Sequence, residues 1–158
     1  LDRINKKLII AKNMGSTHQI NNLSENLEEK ILSITKNKGL DYIFDFTGNR
    51  SLQESCFKIL KKGIPGHSVG GTMAIIGFSY DNISFSSKNL LMNNQTIVGM
   101  RGGWCNPKVD FPKLINKIKN NSINVKEIIT EQHELKNLNN VIKRFKNNEI
   151  LGRAVIKI

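Results

Sequence analysis

Long apolar runs are missing from this 158-residue sequence. Nothing in it approaches the roughly 20 consecutive apolar residues that a helix needs to cross a bilayer, so no helical membrane span is expected. Cysteine is nearly absent too: Cys56 and Cys105 lie far apart, with no CxxC or Cys/His ligand spacing around either. Neither a disulfide framework nor a zinc site is indicated. No Pro/Ser-rich linker interrupts the chain, and its length suits one domain with a real core better than two, so a single unit over 1–158 is expected. The opening Leu1-Asp2-Arg3 is neither a signal peptide nor an initiator methionine, which points to a cytoplasmic protein truncated at its start.

Acidic residues are scarce, 13 against 24 Lys and Arg, for a net charge of +11. Such a surplus invites a phosphate-binding reading, because clustered cations attract nucleic acid. Clustering is what the sequence lacks. The lysines fall on outward faces of several amphipathic segments and alternate with asparagines, as at Asn120-Asn121, Asn139-Asn140 and Asn147-Asn148. Solvated helix faces explain this more simply, and no nucleic-acid partner is expected. Apolar residues at 39% and charged residues at 23% place the chain among folded proteins rather than disordered ones.

What the chain does have is alternation. Ile4, Leu8 and Ala11 make one helical stripe that Gly15 can end in a left-handed conformation. Ser24 can cap a second helix with the stripe Leu27, Ile31, Ile34, ended by Gly39. The aromatic, β-rich run from Leu40 to Thr47 reads as a strand stopped by Gly48. A helix over Ser51–Lys61 follows, with Leu52, Cys56, Ile59 and Leu60 inward. Thr72–Ile76 is the near-continuous apolar run of a strand covered on both faces, and Thr96–Val98 is a further short strand ending at Gly99. Helices fit Phe111, Leu114, Ile115, Ile118 and Leu138, Ile142, Phe145, with strands at Glu127–Thr130 and Arg153–Ile158. Strands alternating with helices mean parallel β-α-β units.

In such sheets ligands sit beyond the carboxyl ends of the strands. Thr47-Gly48, Ile76-Gly77 and the stretch from Gly99 to Gly103 all lie there, where small residues let a ring or a ribose approach the backbone. Asp2 ends a strand and precedes a helix, a position for a carboxylate that hydrogen-bonds an adenosine ribose or caps the helix. The glycine-rich Gly63–Gly71 stretch precedes a strand instead of a helix, so it does not make a phosphate cradle. Histidines 18, 67 and 133 are scattered. Asp41 and Asp45 share a strand without forming an acid/base pair.

As an ordered set, these segments resemble the cofactor domain of medium-chain, zinc-dependent alcohol dehydrogenases over the whole chain. The run Asp2 to His18, with Lys7-Leu8, Ala11 and Gly15-Ser16-Thr17 in place, is the most specific. Asp41 to Gly48, Gly71 to Gly77, Asp110–Leu114, the Ile128-Ile129-Thr130 strand and Gly152-Arg153-Ala154-Val155-Ile156 follow in order. The resemblance implies a Rossmann-type, doubly wound α/β fold that lacks its first strand, glycine loop and first helix. It implies NAD(H) as cofactor, with Asp2 and Lys7 on the adenosine ribose and Phe46 and Thr47 lining the adenine pocket. Ile76 and Met100 would present backbone groups to the nicotinamide, and Arg153 would bind the pyrophosphate. Zinc and the catalytic residues would lie outside this chain, the substrate being a small alcohol or aldehyde. Gln95–Met100 resembles the segment that pairs subunits into homodimers or homotetramers. A G-x-G-x-x-G would stand about twenty residues before Asp2, and without it the isolated chain is expected to be inactive and to bind NAD weakly. Two departures stand out: the Gly63–Gly70 loop is long for the family, and Asn49 replaces a basic residue that some relatives hold beside the adenine. The competing readings are a zinc-free quinone- or enoyl-reductase-like member, which the Asp2 carboxylate disfavours by repelling a 2′-phosphate, and a non-enzymatic nucleic-acid-binding module.

Overall fold

The computed structural model describes residues 1–123, 125 and 127–158, in two compact units: Asn26–Cys105, and Leu1–Glu25 with Asn106–Ile158. The first carries a three-stranded parallel sheet in the order β1 (Tyr42–Asp45), β2 (Thr72–Ile75), β3 (Thr96–Gly99). The register is unbroken, with Tyr42, Thr72 and Thr96 abreast at one end and Asp45, Ile75 and Gly99 at the other. The long Gly63–Gly70 loop does not disturb it. That loop closes on itself through an antiparallel Ile64–Ser68 bridge and is tied down by Gly63 N–H to the Asn93 carbonyl (2.7 Å) and Gly70 N–H to that of Asn94 (2.9 Å).

Strand β2 is central, and its sequence shows why. Met73 and Ala74, on opposite faces, are 0% and 3% exposed, as a strand covered on both sides demands. Strand β1 buries alternate residues only, Ile43 and Asp45, while Tyr42 and Phe44 are exposed. Over the buried face lie α2 (Leu27–Ile34) and α3 (Arg50–Lys58). Cys56, Phe57, Ile59 and Leu60 pack with Ile43 and Met73, ringed by Leu27, Ile31, Leu52 and Phe85. The Phe57 and Phe85 rings meet at 5.0 Å in a tilted pair, a geometry favoured by ring quadrupoles. The short helix α4 (Ser87–Met92), capped by the Ser86 hydroxyl, precedes β3. It is too short to show a stripe, and no periodicity in the sequence announces it.

In the other unit Asp2 and Asn21 form a parallel bridge, with Asp2 N–H donating to the Ile20 carbonyl (3.2 Å). This isolated bridge is the one strand-like contact at that end among the described residues, and helix α1 (Asn5–Asn13) buries Leu8. Helix α5 (Pro107–Lys119) starts with a proline in its first turn, where the missing N–H costs nothing. Strands β4 (Ile129–Glu134) and β5 (Arg153–Lys157) pair in parallel across helix α6 (Leu138–Lys146). The sequence places β4 at Glu127–Thr130, but it runs on through Glu131-Gln132-His133-Glu134. Charged residues are poor strand formers. Here the charge is met: Glu131 accepts both guanidinium N–H groups of Arg144 at 2.8 Å and lies 2.8 Å from His133 Nε2.

Asparagine punctuates the helices. Asn26, Asn49 and Asn106 accept first-turn amides as N-caps of α2, α3 and α5; for α2 this is two residues beyond Ser24. Past the C-termini of α4, α5 and α6, Asn94, Asn121 and Asn148 adopt φ of 48°, 55° and 58°. At each, the following residue reaches back five, as Gln95 N–H does to the Leu90 carbonyl (3.1 Å) and Glu149 N–H to that of Arg144 (3.0 Å). This is the Schellman closure that glycine usually makes; Gly15 makes it for α1 at φ 100°. Helix α2 ends at Lys36 and Asn37, both with positive φ, before Gly39 is reached.

These caps give a direct expectation. Asn148→Gly should leave the thermal melt unchanged or raise it, whereas Asn148→Val, β-branched in a left-handed position, should cost about 1–2 kcal/mol. Chemical denaturation of the pair checks this.

Candidate functional site

The carboxyl edge of the β1-β2-β3 sheet is built on Asp45. As the last residue of β1 its side chain points inward and is 5% exposed. Oδ1 accepts the Thr47 N–H at 3.0 Å and the Thr47 hydroxyl at 2.6 Å. Oδ2 accepts the Gly48 N–H at 3.2 Å and the Nε2 amide of Gln53, which is wholly buried. Among the described residues no cation pairs with this carboxylate. Burial pushes its pKa upward, but the bonds from Thr47, Gln53 and Gly48 outweigh burial and hold it below the ordinary carboxylate value.

The main chain joins this turn to the next strand. The Asp45 carbonyl accepts N–H groups from both Ile76 (2.9 Å) and Gly77 (2.8 Å). Gly48, at φ 64°, packs so closely that a Cβ there would meet the Phe78 carbonyl oxygen at 2.2 Å, and one on Gly77 would meet the Gly48 nitrogen at 2.4 Å. Only glycine fits either position. Thr47 and the largely exposed Phe46 stand at the rim of this junction. Ile76 follows β2, and Met100, whose N–H donates to the Ile75 carbonyl at 2.9 Å, follows β3. The sheet therefore gathers Phe46, Thr47, Ile76 and Met100 along one edge, as its parallel register requires. After β2 the exposed rings of Phe78 and Tyr80 meet edge to face at 4.8 Å.

Asp2, Lys7 and Arg153 belong to the other unit. Asp2, held by its parallel bridge to Asn21, stands just before α1, with Oδ1 accepting the Ile4 N–H at 2.9 Å. The carboxylate thus shapes the helix entry with one oxygen and keeps its second available. Lys7 sits on the first turn of α1, half-buried. Arg153 opens β5, exposed, its N–H donating to the Ile128 carbonyl at 2.7 Å. No hydrogen bond joins Arg153 to Asp2 or Lys7 among the described residues.

Asn49, which stands where a basic residue could flank an adenine, is committed to capping α3, its Oδ1 accepting from Leu52 N–H (2.9 Å) and the Ser51 hydroxyl (2.8 Å). Gln53 is the residue that the sequence reading passed over. It lies on the same face of α3 as Cys56 and Phe57, and a lone amide in an apolar stripe was the available signal. Beside it, burial and then the Asp45 charge push the Cys56 thiol up to about 11, so the thiol stays protonated and unreactive.

Among the described residues no three His, Cys, Asp or Glu side chains gather as a metal site, and neither cysteine is part of a disulfide. No helix among them is long and apolar enough to cross a membrane.

Comparison with known proteins adds one family match, two relatives and two solved structures. A family model described as zinc-binding dehydrogenase matches residues 1–120. Alcohol dehydrogenase 2 of Tanacetum cinerariifolium is 29% identical over 139 residues, 86% of this chain and 35% of the relative. Sorbitol dehydrogenase of Bacillus subtilis is 26% identical over 144 residues, 89% of this chain and 38% of the relative. The chain thus spans little more than a third of the length of these relatives. Benzyl alcohol dehydrogenase from Acinetobacter calcoaceticus superposes with a TM-score of 0.85 at 21% identity, over 98% of this chain and 41% of that one. An alcohol dehydrogenase zinc-binding domain protein from Burkholderia ambifaria gives 0.86 at 22%, over 99% and 40%. At such identities the superpositions speak for the fold: parallel sheets flanked by helices, of the Rossmann type.

A carboxylate whose folded pKa lies below its unfolded value stabilises the fold above the unfolded value, about 3.9, and loses that contribution as pH falls through the folded pKa. Asp45→Asn replaces one acceptor oxygen with a donor. It is expected to cost about 1–3 kcal/mol at neutral pH and to flatten the loss of stability below pH about 4. Melting curves from pH 7 to pH 2 test both; an acid limb as steep as that of the wild type would count against the assignment.

Proposed function

The chain belongs to the zinc-binding dehydrogenase family, and from that premise we propose that it forms the NAD(H)-binding part of an alcohol dehydrogenase that exchanges hydride between a small alcohol or aldehyde and NAD. The observation that carries this reading is the carboxyl edge of the parallel sheet. There the ends of β1 and β2 are drawn together at Gly48 and Gly77, and Phe46, Thr47, Ile76 and Met100 stand in a row.

In this reading Thr47 and Phe46 line the adenine and ribose pocket, and the main chain at Ile76 and Met100 orients the nicotinamide carboxamide. The second oxygen of Asp2 accepts a ribose hydroxyl, with Lys7 beside it, and the Arg153 guanidinium meets the pyrophosphate as a planar fork of donors. Asp2 also sets the cofactor: its charge repels a 2′-phosphate, which favours NAD over NADP. Bound NAD supplies the hydride acceptor. This chain binds and orients it.

Zinc is a different matter. The described residues hold no fitting donor set, and the buried Cys56 thiol resists the deprotonation a ligand requires. We therefore assign the metal and the proton-transfer groups to residues outside this chain. Strand β3 lies at the edge of its sheet; pairing there along Gln95–Met100 would cover exposed backbone groups and give a homodimer or homotetramer.

The test uses the protein made from the complete reading frame. That frame should encode a G-x-G-x-x-G about twenty residues before Asp2, and its product should oxidise at least one alcohol from a panel of small, aromatic and polyol substrates with NAD. Asp2→Ser should move the kcat/KM ratio for NAD over NADP at least about tenfold toward NADP, the equivalent of about 1.4 kcal/mol. A product that reduces quinones or enones with NADPH and ignores alcohols would overturn the reading.

A further inference from the structure

The Asp45 site is unusual in being surrounded only by donors. Thr47 N–H and hydroxyl fill one oxygen, Gly48 N–H and Gln53 Nε2 the other. Burying a carboxylate with no cation beside it is costly, and a neutral side chain would suffice if the need were only to end a strand. Asparagine would serve less well, because in either amide orientation its NH2 would face a fixed backbone donor, the Thr47 or the Gly48 N–H. The site is built for an anion with two acceptor edges. Gln53 carries its own cost: wholly buried, it donates to Asp45 while its Oε1 has no partner among the described residues. A buried acceptor left without a partner costs about 1–3 kcal/mol. An apolar residue of the same length would pack beside Cys56 and Phe57 without that cost, so stability alone does not account for a glutamine here.

We propose that Gln53 and Asp45 are a positioning pair for the nucleotide, holding the Phe46–Gly48 turn in the one conformation that a bound adenosine can meet. The proposal rests on the cofactor reading above. The geometry gives its reason. Phe46 and Thr47 are exposed, so their placement depends on what lies beneath. The Thr47 amide and hydroxyl are both fixed by Oδ1, and the hydroxyl accepts the Asn49 N–H at 3.1 Å, passing the constraint on to the cap of α3. Gln53, one turn into α3, closes the circuit from below. A turn fixed in advance spends no binding energy on its own ordering when the ligand arrives.

Gln53→Met separates this role from a structural one. It matches the length and removes the donor to Asp45 together with the orphan oxygen, two effects of opposite sign and similar size, so the melting temperature should change little. Amide hydrogen exchange at Thr47 and Gly48 should nevertheless accelerate about tenfold, and NADH and ADP-ribose should both bind about tenfold more weakly, with kcat little changed. All measurements use the protein from the complete reading frame. Asp45→Asn, read by the same exchange, provides a second variant and should accelerate both amides further. Unchanged exchange in Gln53→Met overturns the proposal. So does faster exchange with unchanged affinity, which leaves the pair as turn stabilisers only. Should the wild-type protein bind neither NADH nor ADP-ribose, the cofactor reading itself fails and the nucleotide role falls with it, an outcome told apart from the other two by the wild-type measurement alone.

Discussion

Two neighbouring strand ends can come as close as β1 and β2 do only where neither carries a side chain. The Gly48 backbone lies against the Phe78 carbonyl, and Gly77 lies against the Gly48 nitrogen. The Asp45 carbonyl bridges them by accepting two successive amides from the far side. This contact depends on the unbroken parallel register, which in turn depends on Met73 and Ala74 being apolar on both faces of the middle strand. From the contact follow the direction of the turn at Thr47, the exposure of Phe46 and the alignment of Ile76 and Met100 along one edge. The candidate site is a property of how the sheet ends.

A basic chain of this kind could have suggested a surface made for polyanions. Some of that charge is paired. Lys61 pairs with Asp41 at 2.8 Å, Arg50 with Glu54 at 3.0 Å and Arg144 with Glu131 at 2.8 Å. The first two pairs are solvated and contribute little. The third matters more locally, because it allows β4 to run through a glutamate.

Much of the architecture is visible in residue order. The apolar run at Thr72–Ile76, the aromatic run ahead of Gly48 and the stripes at Leu8, Ile31 and Cys56 each reflect one physical requirement acting on one segment, and each appears in the structure within a few residues of its expected bounds. The strand ends were legible for the same reason, since glycine has few other uses at successive strand stops. What stayed hidden depends on partners distant in sequence. Strand β4 continues through Glu131 only because Arg144, thirteen residues on, neutralises it. Helix α4 is one and a half turns long, shorter than any periodicity can reveal. Asp45 read only as a strand carboxylate that forms no acid/base pair with Asp41, because its partner is Gln53, a turn into the next helix, whose amide is unremarkable until its burial is known.

Asparagine both opens and closes helices here, serving at N-caps where aspartate or serine is common and at left-handed termini where glycine is usual. One amide side chain satisfies two stereochemical demands because it is a compact hydrogen-bond acceptor and also tolerates positive φ. A lineage whose amino-acid usage drifts toward asparagine and lysine can therefore keep its helix boundaries intact. Only the few places where backbone touches backbone, Gly48 and Gly77 above all, are closed to that drift.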